Sequence, residues 1–280
     1  MVEARPAVAA DQEKVAAFLH RNLDTHVSPE RFARLFRYPW MADKPNCGYV
    51  LEESGEIAGF VGAIYSNRQV EGRMERFCNL TSWCVLESHR NHSMKLIAAC
   101  HRDREQTYTN FSARPVVQKI NEALKYQMLG RWKLFLPPLA ALTTLGGPAP
   151  RVVTGVDAIA PRLHPEHARL LEDHAATQCS HLLAEDASGY CYVISNRRVK
   201  KGVPFSEVLY VSAADRFLRH LERIKLRILL LERTPALAVD ERLLGCRPPF
   251  SYPFERVTMY RSARVPASTV DNLYSELALL

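Results

Sequence analysis

The sequence predicts an α+β fold built twice: two consecutive domains, each a mixed, mostly antiparallel central sheet flanked by helices. Three observations carry this expectation. The first half reads helix, helix, three strands, a basic turn, helix, strand, helix, strand, an order that wraps helices around a sheet. The second half follows a similar order around a shared string, Ser66-Asn67-Arg68-Gln69-Val70 against Ser195-Asn196-Arg197-Arg198-Val199, each set between strand patterns. The composition, 47% hydrophobic and 24% charged over 280 residues, is that of a globular protein with material for a full core.

The elements follow in order. Val15, Phe18 and Leu19 recur at helical spacing, with Asp11 as N-cap. Ser28-Pro29-Glu30 opens a second helix, cap then proline, with Phe32, Leu35 and Phe36 on one side. Strands are predicted at 48–51 and 57–66, then a turn at 67–73 and an apolar strand opening at Phe77. A polar turn at 87–91 leads into a helix over 93–104, a strand at 107–112 and a helix from Pro115 to the C′ glycine Gly130. A strand at 132–136 closes a first domain of residues 1–137. Residues 138–165, rich in Pro, Gly, Ala and Thr, read as a linker with a strand near 151–156. The second domain, 166–280, has strands at 189–195 and 205–211, a helix over 213–225 and an apolar strand at 228–231. An amphipathic C-terminal helix carrying Val270, Leu273, Tyr274, Leu277 and Leu280 is expected to dock on the body.

A net charge of +7 suits an anionic ligand: a phosphorylated cofactor, an acidic carrier protein or nucleic acid. The densest basic stretches, 197–201 and 219–227, read as solvated faces rather than a nucleic-acid arm, so nucleic acid is not the expected partner. The cysteines number seven, an odd count without CxxC or Cys/His zinc spacing, so a reducing compartment and no metal are expected. Residues 1–20 lack a signal-peptide pattern, and no apolar run reaches 18 residues. The expectation is a cytoplasmic protein without a membrane segment.

The stretch most informative about chemistry is 77–96, FCNLTSWCVLESHRNHSMKL. A buried strand breaks there into a basic turn at a helix N-terminus, where outward-pointing backbone N–H groups and the helix dipole favour an anion such as phosphate. The spacing from Val85 through Arg90-Asn91-His92-Ser93-Met94-Lys95 resembles the V-x-P-x-x-R/Q-x-x-G-x-G/A motif of the GNAT superfamily of acyl-CoA N-acyltransferases. Tyr126-Gln127-Met128-Leu129-Gly130 is similar to that family's Y-x-x-x-G-F, in the same order along the chain. The departures are Glu87 for proline, Ser93 and Lys95 for two small residues, and Arg131 for the usual aromatic. The second domain looks like a degenerate copy, with Asp215 where a phosphate site wants a base.

The resemblance implies a donor, acetyl-CoA or another acyl-CoA. Trp83, Cys84 and Val85 would line its pantetheine arm, and the turn from Arg90 to Lys95, with Asn91, His92, Ser93 and Met94, would hold its pyrophosphate. It implies direct attack of a primary amine on the thioester through a tetrahedral intermediate. The Val85 N–H would polarise the carbonyl and Tyr126 would act as general acid to the leaving thiolate. Helical phase turns Tyr126 away from the stripe of Val116, Val117, Ile120, Leu124 and Met128, off the core side. The general base is not identified: Asn79 stands where some family members carry a glutamate. Glu75 reads as a charged strand end, and Cys84 as packing rather than a nucleophile. The class of acceptor amine and a homodimer are left open. Two alternatives remain: a non-catalytic acyl-CoA-binding sensor or scaffold, and a transferase fed by acyl carrier protein or aminoacyl-tRNA.

Overall fold

A computed structural model describes residues 2–138, 149–200 and 202–280. The first stretch carries β1 (Glu3–Pro6), α1 (Gln12–Asn22), α2 (Pro29–Ala33), β2 (Gly48–Glu53), β3 (Glu56–Val70) and β4 (Arg73–Val85). A 3₁₀ turn, Glu87–His92, then leads into α3 (Ser93–Cys100), β5 (Thr107–Asn110) and α4 (Pro115–Ala123). Ser28 caps α2 as expected, its Oγ accepting from the Arg31 amide at 3.4 Å. Asp11 does not cap α1 through its side chain. Its carboxylate instead accepts two hydrogen bonds from the Arg5 guanidinium, at 2.8 and 2.9 Å, and one from the Val8 amide.

β1 to β4 are antiparallel neighbours, and β4 pairs with β5 in parallel. The turn between β3 and β4 is Glu71-Gly72, both at positive φ, the geometry that matches strand twist in a two-residue hairpin. Alternation along β3 sends Phe60 and Ile64 to one face, against α1 and α2, and Val61, Ala63 and Tyr65 to the other, against α3. Residues Asn67–Val70, expected in a turn, are the last part of β3, which runs to the hairpin.

The second stretch carries β6 (Gln127–Leu136), β7 (Arg151–Thr154), α5 (Val156–Ile159), α6 (Pro165–Ala175), β8 (Cys179–Asp186) and β9 (Gly189–Lys200). It continues with β10 (Val203–Val211), α7 (Ala214–Arg219), α8 (Leu221–Glu232), β11 (Leu237–Asp240) and α9 (Glu241–Leu244). Three expectations are corrected. Residues 228–231 belong to α8, because Ile224, Ile228 and Leu229 continue one buried helical stripe; the strand comes later, as β11. The helix opened by Pro115 stops at Ala123, Lys125 turns into left-handed backbone, and Gly130 lies inside β6. The strand expected near 151–156 is present as β7, but α5 and a 3₁₀ turn stand after it where the linker was expected to run on to 165, and 139–148 of that linker lie outside the described residues.

The chain ends with β12 (Tyr252–Arg261) and α10 (Glu276–Leu279). Two compact units result: Met1–Leu129 with Val257–Val270 and Tyr274–Leu280, and Gly130–Arg256 with Asp271–Leu273. This division differs from the boundaries expected at 137 and 165, since the last strand from Val257 onward and most of the tail belong to the first unit. Val270, Tyr274, Leu277 and Leu280 are buried there, but as a mostly irregular segment with one short helical turn rather than a continuous helix.

Within the first unit the strand order is β1-β2-β3-β4-β5-β12; within the second it is β7-β8-β9-β10-β11-β6. In both, the fourth and fifth strands are parallel and the other pairs antiparallel. The sixth strand of each unit comes from the other half of the chain. The shared Ser-Asn-Arg string sits at equivalent places, near the ends of β3 and β9.

Glu232, 6% exposed at the end of α8, accepts a hydrogen bond from Ser195 Oγ at 2.5 Å, and burial raises its pKa above the ordinary 4.5 despite that bond. A carboxyl whose folded pKa lies above its unfolded value stabilises the fold below the unfolded pKa, and that contribution is lost as pH rises through the folded value. The wild type is therefore expected to lose stability relative to Glu232→Gln as pH rises above 4.5, since the amide keeps an acceptor and never ionises. Parallel thermal melts from acid to neutral pH check this; a Tm difference that stays constant would refute it.

Candidate active site

The site begins with a defect in β4. Gly62 pairs with Thr81 and Phe60 with Cys84, so Ser82 and Trp83 face a single residue, Val61, and Ser82 adopts φ 52°. This is a β-bulge, which bends the strand before its pairing with β3 resumes at Cys84 and Val85. Gly59 keeps β3 close to the bent part: a Cβ there would lie 3.0 Å from Val85 Cγ2 and 3.3 Å from the Cys84 carbonyl oxygen.

On its other side β4 pairs with β5 only through Phe77, Cys78 and Asn79. Asn79 marks the last rung, its Nδ2 donating to Thr109 Oγ1 at 3.2 Å. Beyond it, Ser82, Trp83, Cys84, Val85 and Leu86 are half-buried along an edge that β5 does not cover. The Leu86 amide donates to the Ala58 carbonyl at 2.9 Å. Antiparallel ladders alternate, so the N–H and C=O of Val85, one residue earlier, turn away from β3 and toward the open edge. The structure thus places Trp83, Cys84 and Val85 in succession along this uncovered edge, Cys84 packed toward α1 and α2 and Trp83 and Val85 toward α3, with the N–H of Val85 turned off β3.

The basic turn comes directly after this edge. Residues 87–92 wind as a 3₁₀ turn, in which the His89 amide donates to the Leu86 carbonyl and the Ser93 amide to the Arg90 carbonyl. Amides of the turn, these two among them, are therefore already used. No side chain caps the N-terminus of α3. Arg90, Asn91, Met94 and Lys95 are exposed, and His92 and Ser93 half-exposed. Arg90 pairs with Glu87 at 3.2 Å, and Lys95 Nζ donates to the Val2 carbonyl at 3.3 Å. Arg114, which sequence reasoning passed over, is the N-cap residue of α4 and lies close enough to Cys84 to oppose the burial that raises that thiol's pKa. Its position before Pro115, the first residue of a helix, was the available signal.

Tyr126 is placed differently from expectation. It lies in the turn after α4 and is 5% exposed, in the core cluster with Cys78, Cys100 and Tyr108. His101 Nδ1 must donate to the Ile97 carbonyl at 2.7 Å, so its Nε2 accepts from the Tyr126 hydroxyl at 2.7 Å. Burial drives the tyrosine pKa well up and holds His101 down to about 4, which keeps the pair neutral. The expectation that Tyr126 stands off the core is corrected, because the helix whose phase placed it ends three residues earlier. Its neighbour Cys78 lies seven residues from Val85 along β4, roughly 20 Å at the rise of a strand.

No protein-family model matches the chain, and no curated protein matches it. Solved structures do. A GCN5-related N-acetyltransferase from Anabaena variabilis matches with a TM-score of 0.60 at 9% identity, over 93% of this chain and 72% of its own. One from Kribbella flavida gives 0.56 at 16%, over 95% and 72%. Saccharomyces cerevisiae N-myristoyltransferase with bound myristoyl-CoA gives 0.52 at 12%, over the whole of this chain and 85% of its own. The fold is the one these solved N-acyltransferase structures have, and within this chain one strand order occurs twice.

Tyr126→Phe would leave the buried His101 Nε2 without its donor. An unmade buried hydrogen bond costs about 1–3 kcal/mol, so the variant is expected to unfold at lower urea concentration with an unchanged slope. An unchanged midpoint would show that the pair contributes nothing to the fold.

Proposed function

We propose that the chain is an acyl-CoA-dependent N-acyltransferase whose donor lies along the open edge of β4. The observation that carries this is the Val85 N–H turned toward an edge that β5 leaves uncovered, immediately before a basic turn. An acyl-CoA would run its pantetheine arm past Trp83, Cys84 and Val85, supplying the pairing that β5 does not. Its pyrophosphate would rest over the turn from Arg90 to Lys95, with Asn91, His92, Ser93 and Met94 between them and Arg114 adding charge nearby.

With the donor so placed, the Val85 N–H would polarise the thioester carbonyl and hold the oxyanion that forms when an amine attacks, a fixed dipole where charge develops. The solved structures with this fold support an N-acyl transfer, and they span acetyl and myristoyl donors, so the acyl length is left to measurement. Tyr126 as general acid is a weaker part of this reading, because its hydroxyl already serves His101 far along the strand. An odd cysteine count supports a cytoplasmic setting.

One observation favours a second reading, a binding protein or a transferase fed by acyl carrier protein or aminoacyl-tRNA. The turn uses amides internally and pairs Arg90 with Glu87, which leaves a poorer phosphate cradle. Thermal unfolding with acetyl-CoA, longer acyl-CoAs and free coenzyme A separates the two. A ligand at 100 times its Kd should add about 2.7 kcal/mol of stability. The shift is expected in the wild type and should be mostly lost in Arg90→Ala/Lys95→Ala. No shift with any thioester would refute the coenzyme A donor and leave the carrier, tRNA or scaffold reading.

A further inference from the structure

The segment from Tyr274 to Leu280 is buried in the first unit, on the sheet face covered by α1 and α2. The Tyr274 ring meets Trp40 edge-on at 5.4 Å. Leu279 and Leu280 join the cluster of Phe36, Phe60 and Ile64, against which Cys84 and Leu86, the two neighbours of Val85, also pack. In this apolar setting stands a carboxylate. Glu276, one helical turn before Leu280, is 3% exposed, and among the described residues neither of its oxygens has a hydrogen-bond partner.

A carboxyl group out of water without a partner is strongly unfavourable. The same sheet face holds a second uncompensated acceptor. Asn79, 1% exposed and paired across the ladder with Ile64, spends its amide N–H on Thr109 and leaves its Oδ1 buried without a donor. Both residues offer only lone pairs on that face. The complementary ligand is a cationic donor, and a protonated primary amine supplies three N–H groups and one positive charge.

We infer that Glu276 receives the ammonium group of the acyl acceptor and is the base that takes its proton, with Asn79 Oδ1 as an accessory acceptor. This rests on the acyltransferase reading above and supplies the base that the strand lacks. In the step, R–NH₃⁺ gives one proton to the Glu276 carboxylate. The freed lone pair forms a C–N bond to the thioester carbon, whose oxygen takes the negative charge at the Val85 N–H. Collapse breaks the C–S bond; the thiolate leaves with the second nitrogen proton, and Glu276 returns its proton to solvent. The products are an amide, coenzyme A and one released proton.

The test follows coenzyme A release from acetyl-CoA and myristoyl-CoA with a panel of primary amines, for wild type, Glu276→Gln and Glu276→Ala. General-base loss removes on the order of 10²–10⁴ in rate, so both variants should lose at least about 100-fold in kcat while keeping the wild-type thermal shift with acyl-CoA. Added formate should restore part of the rate to Glu276→Ala and none to Glu276→Gln, whose side chain fills the space. Without ligand, Glu276→Gln should melt at or above the wild-type Tm, since it removes a buried carboxyl group that has no hydrogen-bond partner among the described residues. Wild-type turnover in Glu276→Gln, or a clear fall in its Tm without ligand, would overturn the assignment. Failure of the wild type to bind or turn over any thioester would refute the acyltransferase reading itself, which the Tm comparison does not depend on.

Discussion

Pairing between β4 and β5 lasts three residues, and the chemistry available to the first unit depends on where it stops. Asn79 closes the last rung against Thr109, the bulge at Ser82 and Trp83 bends the strand end from Cys84 onward, and Gly59 lets β3 stay in contact with the bent portion. Longer pairing would consume the Val85 N–H in a ladder bond. A bulge without the glycine would push β3 away and leave the strand end unsupported. The open edge is thus held by neighbours on one side so that it can be bare on the other.

The same topology recurs in the second unit, with β10 and β11 parallel over Ser206–Val208 and a register shift just beyond, between Val208 and Tyr210. What it lacks is the charge. Ala213 and Asp215 open the helix that comes after β10, and an acid at a helix N-terminus already satisfies the dipole that a phosphate would use. The repeated topology therefore recurs without the basic turn that comes after β4. Because each unit takes its sixth strand from the other half of the chain, neither half encodes a complete sheet. Residues 1–129 alone would expose the edge of β5 that Met259–Arg261 covers, an aggregation hazard. Such an exchange ties retention of the second unit to the folding of the first, whether or not the second binds anything.

The strands and the fold class were readable because alternation and repeated order are local signals. Phe60 and Ile64 against Val61 and Ala63 announce a two-faced strand, and the two Ser-Asn-Arg strings mark equivalent strand ends. The position of Val85 at the strand end was readable for the same reason. Tyr126 was not, because its expected face rested on a helix running to Gly130, and Lys125 ends that helix by turning left-handed, which no propensity of lysine foretells. Residues 228–231 misled because a continuous apolar run has no period to separate strand from buried helix. Glu276 was invisible for a different reason. A single glutamate among leucines in a C-terminal segment reads as the polar face of an amphipathic helix, and only long-range folding buries it beside β3 and β4.

The ion pair in the basic turn looks at first like an obstacle to an anionic donor, since Glu87 already faces Arg90. Its strength decides the matter. Both side chains are well exposed, three residues apart on a helical turn, and such pairs contribute only a few tenths of a kcal/mol in water. A pyrophosphate brings more than one negative charge and several acceptor oxygens, and charge-assisted bonds to a guanidinium are about twice as strong as neutral ones. Arg90 can therefore exchange a loosely held carboxylate for a phosphate at small cost, with Glu87 swinging back into solvent. A buried Arg–Glu pair at the same place would lock the turn against any anion. Exposure, which weakens the pair, is what would leave the turn free for the donor proposed above.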